Sequence, residues 1–215
     1  MRLSVLAATA LFVTLPAVAQ AGSFDGFYLG AQVGGAFTSF KETQTSPVLG
    51  GGVEKTDSLS ANGLVGGVVG GWGISFGKVY LGAEFDTTFG GRSFTDTVTD
   101  PVNPSRYKLK TGTEWGFSAR PGYAINDHAL VYGLFGFEQA PLKATSTASG
   151  TVFDKTETVF RLGAGTELAV AGPITVRIDY LHTFLDKVSV YDQFGDGQTF
   201  DPSEDKIKVG VVYHF

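Results

Sequence analysis

The chain has 215 residues, no Cys, 30 Gly, 18 Phe and a formal charge of −5. Charged residues make up 17%, against about 25% in an average soluble domain. This excludes a disordered polyelectrolyte and a disulfide scaffold, and the absence of a basic stripe argues against nucleic acid as a partner.

The N-terminus reads MRLSVLAATALFVTLPAVAQAGSF. One Arg precedes an apolar run, then Pro16 and the small-x-small triplet Ala19-Gln20-Ala21, which is the pattern of a secretory signal. The expected division is residues 1–21 as a cleaved signal and residues 22–215 as one domain. No later stretch has the roughly 20 apolar residues of a membrane helix.

Period-two segments follow. In GFYLGAQVGGAFTSF, Phe27, Leu29, Ala31, Val33 and Phe37 alternate with Tyr28, Gly30, Gln32 and Gly34, the alternation of a strand with one apolar face. NGLVGGVVGGW reads as a second strand with unclear facing. KVYLGAEFDTTF sets Val79, Leu81, Ala83 and Phe85 against Tyr80, Glu84 and Asp86. EWGFSARPGY sets Trp115, Phe117, Ala119 and Tyr123 against Ser118 and Arg120. Pro121 lacks a backbone donor, so a bulge or strand end is expected there. ALVYGLFGFEQ, again of unclear facing, carries Glu138. VFRLGAGTEL puts Arg161 and Glu167 opposite Phe160 and Leu162, and ITVRIDYLHTF puts Arg177 and Asp179 opposite Ile178 and Tyr180. KVGVVYHF ends the chain with Lys208 and His214 on one face and Val209, Val211, Tyr213 and Phe215 on the other.

That makes eight strands. Short turns are expected at GISFGK, AINDH and AVAGP. Long polar loops are expected near 41–62, 90–111, 140–156 and 185–204. Short turns at one end and long loops at the other describe an all-β, eight-stranded, antiparallel up-and-down transmembrane barrel. The polar faces support this over a lipocalin-like barrel, which would turn its apolar face inward. Gly-rich faces bearing Glu84, Asp86, Arg120, Glu138, Arg161, Glu167, Arg177, Asp179 and Lys208 are read as the interior. Eight strands enclose a space that side chains can fill, so these nine form an ionic plug. Their alternative role is a gate across a narrow path, with Glu84, Arg120, Glu138 and Arg177 as gate residues.

Together FDGFYLGAQVGG, VYLGAEFD, GFSARPGYAINDHALVYGLFGF, LGAGTELAV, VRIDYLHT and KVGVVYHF resemble the small outer-membrane β-barrel family of Gram-negative bacteria, the porin-family or opacity-type proteins with an OmpA-like barrel. The resemblance implies location in the outer membrane, contact with its lipid and lipopolysaccharide, and insertion by the barrel-assembly machinery, which reads a terminal aromatic signature, here Tyr213 and Phe215. His214 departs from the Arg or Lys expected before the final aromatic. The role read for such a closed, plugged cylinder is envelope integrity and surface display. A diffusion channel for small solutes, or an adhesin whose loops bind host surfaces, are the alternatives.

No catalytic constellation is read. His128, His182 and His214 lack the His-x-Ser pair of membrane lipid deacylases and are taken as boundary residues, with His214 at the inner rim. DQFGDGQTFDPSED resembles a calcium loop only in part, because Phe194 and Ser203 occupy ligand positions. It is read as a solvated acidic loop. No cofactor or metal is expected, and GWGISFGKV lacks the spacing of a phosphate loop.

Overall fold

A computed structural model describes residues 24–46, 52–90, 93–98, 105–146, 150–185, 188–191 and 197–215. The proposed signal, residues 1–21, lies outside them. The described residues form eleven strand segments and no helix: β1 Gly26–Ser46, β2 Gly52–Phe76, β3 Val79–Phe89, β4 Ser93–Val98, β5 Ser105–Thr111, β6 Glu114–Asn126, β7 Ala129–Ser146, β8 Gly150–Ala171, β9 Ile174–Phe184, β10 Val188–Tyr191 and β11 Gly197–His214. Three segments are upper parts of longer staves: β4 continues β3, β5 leads into β6, and β10 continues β9. The eight staves pair only antiparallel, in the circular order β1, β2, β3, β6, β7, β8, β9, β11 and back to β1. Closure pairs every one of the eight staves on both sides along the lower cylinder, the condition that hydrocarbon imposes on a sheet, while β4 and β10 above it are each paired on one side, with β5 and β11.

The short turns fall at Gly77–Lys78, Asp127–His128 and Gly172–Pro173. Gly77 and Gly172 take φ of 65° and 53°, a region other residues enter only at a cost. Both ends of the cylinder wall meet here, with Tyr28 opposite His214 and the Phe215 amide donating to the Phe27 carbonyl at 2.9 Å. We call this the turn end.

Two expectations are corrected at the backbone level. The polar stretches read as loops are largely strand. The β1–β2 ladder climbs to Ser46↔Gly52, β7–β8 to Ser146↔Gly150, β4–β5 to Val98↔Ser105, and β11 begins at Gly197. Pairing already nucleated lower down propagates through Ser- and Thr-rich sequence, which needs no apolar face once it has left the lipid. The four hairpins are therefore tall β-ribbons, and the acidic stretch read as a loop enters strand β11 at Gly197. The second correction concerns Pro121. β6 runs straight through it, paired with Leu81 on β3. Toward β7 the pairs lapse after Ala119↔Phe135 and resume at Gly122↔Tyr132 in the same register, while the irregularity falls at Ala124/Asn126. The missing donor interrupts one ladder without shifting it.

Facing follows the period-two reading. Phe27, Leu81, Phe117, Phe160, Ile178 and Val211 point outward and are exposed. The two strands with unclear facing resolve because the interior is not uniformly polar. Val65 and Val69 of β2, and Leu130, Tyr132 and Leu134 of β7, point inward and are buried, whereas Leu64, Val68, Phe135 and Phe137 face out.

Candidate functional site

The interior is the only place where the described strands gather ionisable groups in number, and it divides by height. Near the turn end, Arg177 of β9 donates from Nη1 and Nη2 to the two oxygens of Glu84, at 2.6 and 3.0 Å. Its Nε donates to Asp179 at 2.7 Å. Asp179 also accepts the Tyr132 hydroxyl and the Gln32 amide, each at 2.6 Å. Glu84 accepts the Tyr28 hydroxyl at 2.8 Å. Arg120 of β6 pairs with Glu167 of β8 and lies over the Tyr132 ring, 3.6 Å from its centre, with the Tyr28 and Tyr80 rings 5.5 and 5.4 Å away. A guanidinium is planar and weakly hydrated enough to lie on aromatic faces. Three tyrosines thus wall in a cation that water cannot reach.

Sequence reasoning left His214 at the rim, but the structure turns it inward. Its Nε2 lies 2.7 Å from Glu167 Oε1, which also accepts the Thr175 hydroxyl at 2.6 Å. His214 shares the face of Lys208, and step-two counting from Lys208 reaches it.

Higher up, Arg161 of β8 pairs with Asp86 of β3, donates to Glu138 of β7 at 3.2 Å and donates to the Ser118 hydroxyl at 2.8 Å. A Cβ at Gly116 would collide with this guanidinium, so the absence of a side chain there makes its seat. Lys208 reaches Asp86 and Thr88 at 3.4 and 3.3 Å. Lys206 donates to Glu114 and Glu138 at 2.6 Å and meets Glu204 at 2.9 Å. Lys206, Glu114 and Glu204 were missed from sequence, though each sits two or four residues along its face from a residue that was named.

All nine predicted interior residues are thus buried on one continuous inner wall. Glu84, Arg120, Glu167, Arg177 and Asp179 group near the turn end, and Asp86, Glu138, Arg161 and Lys208 above. Isolated buried charges cost several kcal/mol each (order of magnitude), and pairing offsets that cost. Ligand oxygens of Glu114, Glu138 and Glu204 lie within 4.8 Å of one another, with the Lys206 ammonium among them. Of the histidines, His128 is exposed in a turn, and His182 faces outward on β9 beside Asp205 of β11. Tyr213 and Phe215 are outward at the turn end, their rings 5.1 Å apart. Asp192 and Asp196 of the calcium-like stretch lie outside the described residues.

The profile of the outer membrane protein beta-barrel domain matches residues 5–215. The chain is 32% identical over 210 residues to a 31 kDa outer-membrane immunogenic protein of Brucella melitensis, covering 90% of this chain and 84% of that one. Among solved structures it is similar in fold to the outer membrane protein OprG from Pseudomonas aeruginosa (TM-score 0.53, 12% identity, 90% of this chain and 99% of that one). It is also similar to Neisserial surface protein A (TM-score 0.51, 14% identity, 89% and 98%).

Proposed function

From the premise that this chain belongs to the outer membrane protein beta-barrel family, and so resides in the outer membrane, we propose that it is a plugged, non-catalytic cylinder that maintains the envelope and displays four β-ribbons at the surface. One observation carries the reading. Arg120, Arg161, Arg177, Lys206 and Lys208 are each 1% exposed or less, and every one is held by carboxylates from other staves. The lumen is filled by its own ion pairs. Eight-stranded barrels have interiors that side chains can fill, and a solute path would have to break several charge-assisted bonds at once. The name of the Brucella relative, an immunogenic protein, supports exposure of part of such a barrel to the outside.

Single-channel recording of the full chain refolded into a planar bilayer tests the plug. A silent bilayer with demonstrated insertion is expected. Discrete openings, altered in Arg120→Ala or Glu84→Gln, would replace the plug with a gate. Insertion itself, in this reading, depends on recognition of Tyr213 and Phe215 by the barrel-assembly machinery. Deleting Phe215 is expected to lower the yield of inserted barrel in cells without lowering refolding in detergent.

A further inference from the structure

The chain enters the cylinder wall at the turn end, and the two residues just before β1 do not stay outside. Phe24 is 3% exposed and belongs to the interior cluster that includes Tyr80, Leu130 and Tyr132. Its ring stands edge-on to that of His214, with centres 6.3 Å apart. Gly26, with φ of 95°, supplies a backbone turn that other residues enter only at a cost, and Phe27 beyond it faces outward. Phe24 therefore stops the mouth of the lumen and meets β11 across the seam that β1 forms with it.

Asp25 is carried into the mouth beside it. It is 9% exposed, and its Oδ1 is buried without a hydrogen-bond partner. A buried carboxyl oxygen left unpaired is costly. Glu84, Asp86, Glu138, Glu167 and Asp179 in the same interior are each held by a cation, and Asp25 differs from them in this. A donor that belongs to the chain itself can reach Oδ1 without opening the mouth. Gly22 precedes Asp25 by three residues, at most about 11 Å of extended chain. An acidic side chain reaches back over that same span to a backbone nitrogen in a capping box.

Building on the reading of residues 1–21 as a cleaved signal and of the rest as a membrane barrel, we propose that signal removal creates the partner of Asp25: the α-ammonium of Gly22 pairs with its carboxylate and fastens Phe24 in the mouth. Hydrolysis adds one water across the Ala21–Gly22 bond. The new carboxylate leaves on Ala21 with the signal. The amine stays on Gly22, where it is mostly protonated near neutral pH. Before cleavage that nitrogen is a neutral amide with one N–H. Afterwards it carries a positive charge and three N–H donors, and charge-assisted hydrogen bonds are roughly twice as strong as neutral ones. The uncut chain holds a carboxyl group with an unpaired oxygen in its mouth, and cleavage supplies the counter-charge on the spot. Maturation is thereby coupled to the hold of Phe24 on the β1–β11 seam.

The test reads the N-terminus first. The full chain is expressed in a Gram-negative host, the barrel is extracted from its outer membranes, and mass spectrometry reads its first residue, which is expected to be Gly22. The barrel is then unfolded by urea in micelles with its N-terminus either free or acetylated, and peptide mapping verifies that no lysine is modified. Acetylation should raise the unfolding equilibrium constant about tenfold, the scale of a hydrogen bond to a charged group. In Asp25→Asn and Asp25→Ser it should change that constant by less than about twofold. The comparison of free and acetylated chains needs no substitution, so it decides the matter even where a variant fails to fold. No effect of acetylation, or an equal effect in the neutral variants, would overturn the pair while leaving the cleavage site in place. A first residue other than Gly22 would overturn the division after Ala21 and the pair with it. Each failure leaves the plugged cylinder standing, because channel silence is measured separately.

Discussion

The two halves of the interior solve one electrostatic problem with different chemistry. Near the turn end the cations are guanidiniums, Arg120 and Arg177, wedged among Tyr28, Tyr80 and Tyr132 and bound in fixed planes. Higher up, two of the three cations are ammoniums, Lys206 and Lys208, shared among several carboxylates and hydroxyls. A guanidinium offers a rigid fork, whereas an ammonium is a point charge on a flexible stem. The lower half is a bolt and the upper half an adjustable clasp. The difference teaches that charge balance alone does not define the plug: directionality is concentrated at one end.

Substitutions sharpen or break this contrast. The largest effect is expected for Arg120→Ala, which leaves Glu167 buried beside His214 without its guanidinium. A loss of about 3–5 kcal/mol is expected by urea unfolding in micelles. Lys206→Met should lose less, about 1–3 kcal/mol, because Arg161 still pairs with Glu138. An equal or greater loss would reverse the ranking of bolt and clasp. Arg177→Lys keeps the charge but forfeits the two-pronged bond to Glu84, for about 1–2 kcal/mol by the same assay. The comparable swap upstairs, Lys208→Arg, should be nearly neutral. Gly116→Ala should cost about 1–3 kcal/mol by crowding Arg161, and combining it with Arg161→Ala should remove that extra penalty. Among the substitutions expected to destabilise, the smallest loss is for Tyr132→Phe, about 1 kcal/mol, since Asp179 retains Arg177 and Gln32.

The sequence made the wall legible where opposite faces differ in chemistry. Phe85 beside Glu84, or Ile178 beside Arg177, leaves no doubt which side meets lipid. It was illegible where both faces are apolar or glycine, as at Val68 and Val69 or Leu134 and Phe135, because two interior clusters, Leu134 with Tyr80 and Leu130 and Val69 with Tyr28 and Val212, need apolar neighbours inside. The ribbons were misread for the opposite reason: polar residues on both faces look like loop, and only the ladder below them reveals strand. Interior residues could be named by parity, but their partners could not. Arg161 and Asp86 lie on β8 and β3, which are not neighbours in the wall, and only the curvature of the closed cylinder brings them across its axis. The outward pair Asp205–His182 escaped notice because Asp205 was read as part of an acidic loop.

The seam between β1 and β11 joins the two ends of the chain, from Tyr28↔His214 up to Thr45↔Gly197. No internal bond can substitute for it, and it joins the first and last staves of the barrel, such as Tyr28 and His214. Loop-closure entropy makes such a contact among the last to form. Until it does, both flanking strands present bare hydrogen-bonding rows, the template on which chains aggregate. The cylinder therefore cannot close before β11 has been made. Synthesis and closure are separated in time, and whatever holds the open sheet during that interval must cover two edges at once.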